Sequence, residues 1–218
     1  MRRYDRGYIQ AFIDQARASG YLVSYNHPCW SMESQEDILS CSGCFSLELF
    51  NTGSMKISGA EDNVALYDAM LRRGKRPYVH GADDNHNHHP FGSLMCDSFG
   101  AWTMVLSEGL SYPAVIRALE AGRFYASTGP AFTRLSFQGK RVLMEFSGAQ
   151  RAIMHMSPKW ALNLWARAGE PFDRAEFDIP DRAPYVYFSL LDGDGRRAVT
   201  RAFTREELGI CLLYTSPS

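Results

Sequence analysis

The sequence predicts an α/β protein, in which a parallel sheet or barrel is followed by a small antiparallel β domain. Helical and strand-like segments alternate over the first two-thirds of the chain, which is typical of parallel sheets. After Gly129-Pro130 the segments become short and strand-like, and Asp192-Gly193-Asp194-Gly195 is typical of a hairpin turn. We therefore expect a barrel domain of residues 1–130, a β-rich domain of residues 131–208 and a non-native tail of residues 209–218.

The elements of the first domain are predicted from apolar spacing and from the residues that interrupt it. Gly20, Gly74 and Gly122 each end a helical pattern, and Ser34 is the predicted N-cap of a shorter helix. The predicted helices cover residues 9–16, 34–40, 64–71 and 111–121, and the predicted strands cover residues 21–25, 45–50, 77–82 and 101–106.

The second domain shows strand patterns and one ambiguous segment. Residues 160–168 fit a helix or a strand equally well. The predicted strands cover residues 133–137, 141–146, 152–156, 175–179 and 185–191.

The composition is that of an ordinary globular protein. Hydrophobic residues make up 45% and charged residues 22%, and the formal net charge is −1. So small a charge predicts no clear nucleic-acid patch. No apolar run reaches the length of a membrane span, and the N-terminal segment lacks an apolar signal core, so we expect no membrane partner and a cytoplasmic location.

The five cysteines are an odd number in a chain without an export signal, which argues against a disulfide framework. Cys41 and Cys44 have the CxxC spacing of a redox pair or of half a zinc site. A lone pair of this kind is more often two small residues in a turn before a strand, and both interpretations stay open.

The segment Asp83-Asp84-Asn85-His86-Asn87-His88-His89 is the most unusual in the chain. Its acids and histidines are ligand types that suit Zn, Mn or Fe. Residues two apart in an extended backbone face the same way, so Asp84 and His86 can converge on one ion. A polar, solvated loop is the alternative, and it is the favoured one for His88 and His89.

The positions of these residues in the predicted strands strengthen the metal hypothesis. Asp84 and His86 follow one strand, His27 follows another, and Glu48 and Asn51 close a third. In α/β proteins the carboxyl ends of the strands are where active sites collect. A lone His before Pro is more often structural, but the joint placement predicts a divalent-metal site at this edge.

Three segments resemble successive motifs of the polymerase and histidinol phosphatase (PHP) superfamily. They are Asn26-His27-Pro28-Cys29-Trp30, Leu47-Glu48-Leu49-Phe50-Asn51 and Gly81-Ala82-Asp83-Asp84-Asn85-His86-Asn87. Residues 97–100 and 121–130 extend the resemblance, which is greatest to CehA-type hydrolases and PHP-type metal-dependent phosphoesterases. It covers roughly residues 8–205.

The resemblance implies the C-terminal part of a distorted (β/α)7 PHP barrel, a TIM-like barrel that holds divalent ions at the strand carboxyl ends. It implies His27, Asp84 and His86 as metal ligands, with Glu48 and Asn51 beside the ligands or facing substrate. The implied reaction is hydrolysis of a small-molecule phosphoester or carboxylic ester by a metal-activated water. Asp84 or Asp83 would orient that water.

The chain departs from the family pattern at its start. The family begins with His-x-His, a Thr-Asp-His segment and a further Glu ligand, and no histidine precedes His27 here. We therefore expect a fragment of a longer protein with only part of the active site. Residues 210–218 resemble translated adapter sequence. A barrel without its first strands has open edges, which a homo-oligomer would cover.

Three functions remain open from the sequence. The first is a metal-dependent hydrolase of phosphoesters or carboxylic esters. The second is a catalytically incomplete fragment or degenerate PHP barrel with a binding or assembly role. The third is a redox or structural-zinc protein built on Cys41 and Cys44.

Overall fold

The computed structural model describes residues 6–60, 62–157 and 160–209. The chain divides into two compact units, residues 1–128 and residues 129–218. The predicted domain boundary at residue 130 lies next to this division.

The described part of the first unit contains five helices and five strands. The helices are α1 (Arg6–Ala18), α2 (Gln35–Ser40), α3 (Thr52–Ser58), α4 (Val64–Arg72) and α5 (Tyr112–Glu120), and the strands are β1 (Ser24–Tyr25), β2 (Ser46–Asn51), β3 (Tyr78–Ala82), β4 (Trp102–Val105) and β5 (Phe124–Ser127). None of the described helices is both long enough and apolar enough to cross a membrane.

The core of the first unit is a parallel sheet with the strand order β1-β2-β3. The central strand β2 is buried along its whole length, and Leu47 and Leu49 are fully enclosed. Helix α4 contacts β2 and buries Tyr67 and Leu71 on its inner face. This apolar stripe is what the sequence spacing predicts for a helix that packs on a sheet.

Helix α5 begins and ends at the residues that its sequence indicates. The Ser111 hydroxyl accepts the Ala114 N–H at 3.4 Å, and Pro113 occupies the first turn. Proline is tolerated there because the first amides of a helix lack intrahelical acceptors. The chain leaves the helix through Gly122, whose φ of 64° is in the left-handed region that glycine adopts without strain.

The prediction of a partial (β/α)7 barrel, and with it of a TIM-like barrel, is wrong. Of the described residues, 34% are in strands and 22% in helices, and the described strands do not close into a barrel. Although α5 lies between them, β4 and β5 pair antiparallel, with Val105 opposite Phe124. The helix therefore starts and finishes at the same end of the two strands, whereas a parallel connection must cross back to the other end.

Helix α3 was not predicted. Its sequence, Thr-Gly-Ser-Met-Lys-Ile-Ser, contains several poor helix formers. Asn51 caps it, because its side-chain oxygen accepts the Ser54 N–H at 2.7 Å. The helix ends at Gly59, whose φ is 63°.

The described part of the second unit is antiparallel β structure. Its strands are β6 (Phe132–Gln138), β7 (Arg141–Ala149), β8 (Arg151–Met156), β9 (Trp160–Trp165), β10 (Phe172–Asp178), β11 (Tyr185–Leu191), β12 (Arg197–Thr200) and β13 (Phe203–Thr204). One group has the order β10-β7-β6 and another the order β12-β11-β8-β9, with β13 also paired to β11.

Aromatic side chains form the core between these two groups of strands. The ring of Phe188 on β11 is fully buried and lies 6.1 Å from Phe137 on β6 and 6.5 Å from Phe177 on β10. The hairpin predicted at residues 192–195 is confirmed and joins β11 to β12. The ambiguous segment at residues 160–168 contains a strand, β9.

Candidate functional site

The candidate site lies at the carboxyl end of the three parallel strands. His27 follows β1, Asn51 is the last residue of β2, and Asp83 and Asp84 follow β3. Strands β2 and β3 pair parallel there, with Glu48 opposite His80 and, after a register shift between Glu48 and Phe50, Asn51 opposite Ala82. Because parallel strands end at one edge, the sheet carries the polar side chains of three separate segments to the same place.

The buried carboxylate of Glu48 connects these segments. Only 2% of the residue is exposed. Its Oε2 atom accepts the backbone N–H of His27 at 2.7 Å and the side-chain amide of Asn51 at 2.9 Å. The same amide nitrogen of Asn51 donates to Asp84 Oδ2 at 3.1 Å. Glu48 and Asn51 therefore fix the backbone of His27 and the carboxylate of Asp84.

The surroundings of Glu48 make its charged form costly. Burial raises the pKa of Glu48, while the hydrogen bonds from Asn51 and from the His27 N–H oppose the rise. His80 Nε2 lies 3.9 Å from Glu48 Oε1, and burial lowers the pKa of His80 to about 4. The two groups are therefore not an ion pair at neutral pH. Within the described residues, the buried His80 Nδ1 has no hydrogen-bond partner.

His27 presents its imidazole from a strained backbone. Its φ is 35°, in the left-handed region that non-glycine residues rarely adopt. Its Nδ1 is 2.9 Å from the Ser31 hydroxyl, and its ring meets the ring of Trp30 edge-on at 5.1 Å. Glu48 thus holds the His27 backbone, whereas the Ser31 hydroxyl contacts the ring.

The imidazole of His86 has a defined tautomer. His86 Nδ1 lies 2.6 Å from the backbone carbonyl oxygen of Asp84. A carbonyl oxygen only accepts hydrogen bonds, so the neutral ring carries its proton on Nδ1 and keeps a lone pair on Nε2. This is the form in which an imidazole binds a metal ion. Asp84 itself has a φ of 50°, a second strained position beside the candidate site.

Asp83 has a structural role in the described geometry. Its carboxylate accepts the backbone N–H groups of Phe99, Gly100 and Ala101 at 2.5, 2.8 and 2.9 Å. Its own carbonyl oxygen accepts the Gly53 N–H at 2.8 Å. With both oxygens occupied by amides, Asp83 is less suited than Asp84 to orient a water molecule.

Asp97 belongs to the site although the sequence did not single it out. It is buried, and its Oδ2 accepts the His86 N–H at 2.8 Å, which is the main reason that its pKa is lowered. In the described part of the chain its Oδ1 is buried without a hydrogen-bond partner. Only its place at the start of the resembling segment 97–100 could have indicated it, since no spacing rule links it to His86.

The fit of these residues to a metal ion is incomplete. Within residues 6–60, 62–157 and 160–209, no three His, Cys, Asp or Glu side chains are close enough together to hold an ion. His27, Asp84 and His86 lie at one edge of the sheet without forming a shared coordination sphere. His88 stacks on His86, with ring centroids 5.9 Å apart.

A groove opens beside His27. Its volume is about 620 Å³, and its lining includes Tyr25, His27, Trp30 and Glu33. Burial raises the pKa of Glu33, and its Oε2 is buried without a partner among the residues that the structure describes. The lining also includes the polar residues Arg6, Ser31, Ser34 and Asp37. Aromatic walls with a few polar groups are typical of a site for a small organic molecule.

The described cysteines, Cys29, Cys41, Cys44 and Cys96, are all free thiols. Burial and the neighbouring Cys41 raise the pKa of Cys44 to about 11. A redox-active cysteine requires a lowered pKa, because the thiolate is the reactive species. The environment of Cys44 thus disfavours a redox pair at residues 41 and 44.

Comparison of the chain with family models, with curated proteins and with solved structures finds no match.

Proposed function

We propose that the chain carries part of the active site of a metal-dependent hydrolase that cleaves phosphoester or carboxylic ester bonds. His27, Asp84 and His86 are the proposed donors to Zn, Mn or Fe. The observation that carries this proposal is the contact of His86 Nδ1 with the Asp84 carbonyl oxygen, which leaves Nε2 with a lone pair.

The remaining residues of the site have supporting roles in this proposal. Glu48 and Asn51 hold the carboxylate of Asp84 and the backbone of His27. Asp97 holds the backbone of His86, and Asp83 holds the segment that starts at Phe99. Asp84 is the favoured residue for orienting a water molecule, because the Asp83 oxygens are occupied by amides.

The groove beside His27 is the proposed place for the organic part of the substrate. Trp30 and Tyr25 provide apolar walls, and Glu33 provides an acceptor for a hydrogen-bond donor of the substrate. We further propose a small-molecule substrate rather than a nucleic acid, since the net charge is only −1. The proposed compartment is the cytoplasm, where free thiols persist.

A second candidate function is metal or ligand binding without catalysis. The observation that favours it is the missing three-donor cluster among the described residues, because a catalytic ion is usually held by three protein ligands. The two candidates differ in turnover and share the proposed metal donors.

Metal titration of single variants tests the proposed donors. We expect His27→Ala, Asp84→Asn and His86→Ala each to weaken binding of Mn²⁺ or Zn²⁺ about tenfold or more, as loss of one ligand interaction of about 1.4 kcal/mol does. His89→Ala is the matched control, because it removes a histidine from the same exposed loop outside the proposed donors. Isothermal titration calorimetry measures the affinities, and unchanged affinity in all three variants contradicts the proposal.

Turnover separates the two candidates. We expect metal-dependent hydrolysis of para-nitrophenyl phosphate, of its bis-ester or of para-nitrophenyl acetate, and we expect Asp84→Asn to abolish it. Metal binding that depends on the three donors, without hydrolysis of any of these substrates, would instead support the non-catalytic candidate.

A further inference from the structure

Strand β9 is an outermost strand of its sheet. It pairs with β8 through six consecutive residue pairs, from Arg151 opposite Trp165 to Met156 opposite Trp160. In the described part of the second unit, no strand pairs with its other side. The backbone amides and carbonyls on that side are therefore directed away from the sheet, as at any edge strand.

The side chains of β9 lack the features that protect an edge strand. All six residues are exposed and none is charged. The exposed fractions are 56% for Trp160, 44% for Leu162, 39% for Leu164 and 62% for Trp165. Natural edge strands carry lysine, other charges, proline or a bulge that prevents pairing with another chain. The unbroken pairing with β8 shows that β9 has no bulge either.

The outermost strands of the other group in this unit, β6 and β10, are protected. Strand β10 carries Asp173, Arg174, Glu176 and Asp178, and its pairing with β7 shifts between Phe172 and Arg174. Strand β6 carries Arg134, and its pairing shifts between Phe132 and Arg134. Because both outermost strands of the other group are protected and β9 is not, β9 differs from them in a way that fits an interface.

One face of β9 continues the buried core. Leu162 lies opposite Met154 on β8, and Met154 lies opposite Phe188 on β11, both fully buried. Leu164 continues the same face, beside the buried Ala152. Leu162 and Leu164 therefore continue the apolar face of the core, but they are exposed to solvent because no described strand of this unit lies beyond β9.

We propose that β9 is a dimerisation edge, which pairs antiparallel with β9 of a second copy of this chain. A two-fold axis perpendicular to the sheet keeps each face of one β9 beside the same face of the other. An axis at Asn163 places Leu162 opposite Leu164 and the small Ala161 opposite the large Trp165. Such apolar cross-strand pairs are the units that stabilise sheets.

A second copy fits this edge because the strand is complementary to itself in the register described above. The strand has no charged residue of its own with which to select an oppositely charged peptide. Both Trp rings are already ordered, because Arg151 lies 4.3 Å from the ring centre of Trp165 and Arg182 lies 4.7 Å from that of Trp160. Ordered side chains lose less conformational entropy on binding.

The area at this edge is sufficient for a dimer of modest affinity. A whole Trp side chain offers up to about 250 Å², so the exposed parts of the two Trp residues provide roughly 300 Å² per copy. With the two leucines, Ala161, Asn163 and the backbone edge, two copies bury on the order of 1,000 Å², where specific interfaces begin. This inference is independent of the proposed hydrolase.

Analytical ultracentrifugation of the full chain tests the dimer. We expect a reversible monomer–dimer equilibrium in the wild type, and a dimer dissociation constant raised about 100-fold or more by Leu162→Lys, because a charge at an edge prevents pairing. Leu110→Lys is the matched control, since Leu110 is a fully exposed leucine of the first unit. A monomeric wild type, or a Leu162→Lys variant that dimerises as tightly as the wild type, overturns the proposal.

Hydrogen exchange provides a test that does not depend on the folding of a variant. We expect those β9 amides of the wild type that are directed away from β8 to exchange slowly at concentrations that favour the dimer and rapidly on dilution. Slow exchange at every concentration would mean that another segment of the same chain covers β9, and the proposal would then be wrong.

Discussion

Glu48 joins the segments of the candidate site through one buried oxygen atom. The Oε2 atom accepts a hydrogen bond from the backbone of His27 and another from the side chain of Asn51. Without this acceptor, both donors would be left in a region with little access to water, which costs more than the hydrogen bonds themselves contribute. The residue therefore determines both the stability and the geometry of the strand ends.

Replacing Glu48 tests this role. We expect Glu48→Ala to lower the free energy of unfolding by roughly 3 kcal/mol, since each buried group left unsatisfied costs about 1–3 kcal/mol. Glu48→Gln keeps an acceptor oxygen and should cost less. The control is Glu145→Ala, whose more exposed ion pair with Arg134 at 3.8 Å should contribute under about 1 kcal/mol. Urea denaturation measures all three, and equal losses in Glu48→Ala and Glu145→Ala would contradict the role of Glu48.

At the scale of the elements, the close approach of α3 to the end of β3 gives the candidate site its shape. Gly53 in α3 donates its N–H to the Asp83 carbonyl oxygen at 2.8 Å. A Cβ atom at Gly53 would lie 2.9 Å from the carbonyl oxygen of Asp84, closer than real Cβ atoms approach backbone. Glycine is thus required for close packing at this position, whatever its helix propensity.

The substitution Gly53→Ala tests that contact. We expect it to displace the backbone at Asp84, to destabilise the fold by about 1–3 kcal/mol as overpacking does, and to weaken metal binding in proportion. Gly109→Ala is the control, because a Cβ at Gly109 meets no atom within 4 Å. Thermal unfolding and metal titration of both variants measure the effects. A Gly53→Ala variant as stable as Gly109→Ala would show that the backbone there is free to move.

Local chemistry made some elements predictable and left others unpredictable. Ser34 is a predicted N-cap that accepts the expected amide, because capping depends on residues within one turn. The antiparallel pairing of β4 with β5 depends on the end of β4 to which the chain returns after α5. No local sequence pattern determines that end. Helix α3 was missed because its stability comes from the Asn51 cap and from packing, against its own propensity.

The candidate site was predictable to a similar extent. Placement after strands predicted the shared edge of His27, Asn51 and Asp84, because that edge follows from parallel pairing alone. The hydrogen bond from the His86 backbone to Asp97 depends on the path of the intervening loop, which sequence spacing does not encode. The same reason explains why Asp83 could not be distinguished from Asp84 in advance.

At the scale of the whole molecule, two buried histidines link stability to pH. Burial lowers the pKa of both His80 and His155 to about 4, while in the unfolded chain they titrate near 6.5. The folded state therefore binds fewer protons than the unfolded state between these values. The stability that neutral histidines contribute is present above about pH 6.5 and is lost as the pH falls towards about 4.

His155→Phe tests this pH dependence. His155 stacks on Tyr187 with ring centroids 4.2 Å apart, and phenylalanine keeps an aromatic ring there without a titrating group. Between pH 7 and about pH 4.5, we expect the wild type to lose about 2 kcal/mol more unfolding free energy than this variant. His89→Phe, at an exposed position, should leave the pH dependence unchanged. Urea denaturation at both pH values measures the difference, and identical pH dependence in His155→Phe and the wild type contradicts the assignment.

The bonds from Asp83 to residues 99–101 have a consequence for the segment between them. They bring the two ends of residues 84–98 together at a single carboxylate, so this segment is an Ω-loop closed at its neck. His86, His88, His89 and Asp97 all lie inside the loop. The neck is held by Asp83 and by the hydrogen bond from the Asn85 side-chain amide to the Ser98 hydroxyl. Substitutions between Asn85 and Ser98 therefore change the histidine-bearing part of the loop while the Asp83 carboxylate still holds residues 99–101 at the end of β3.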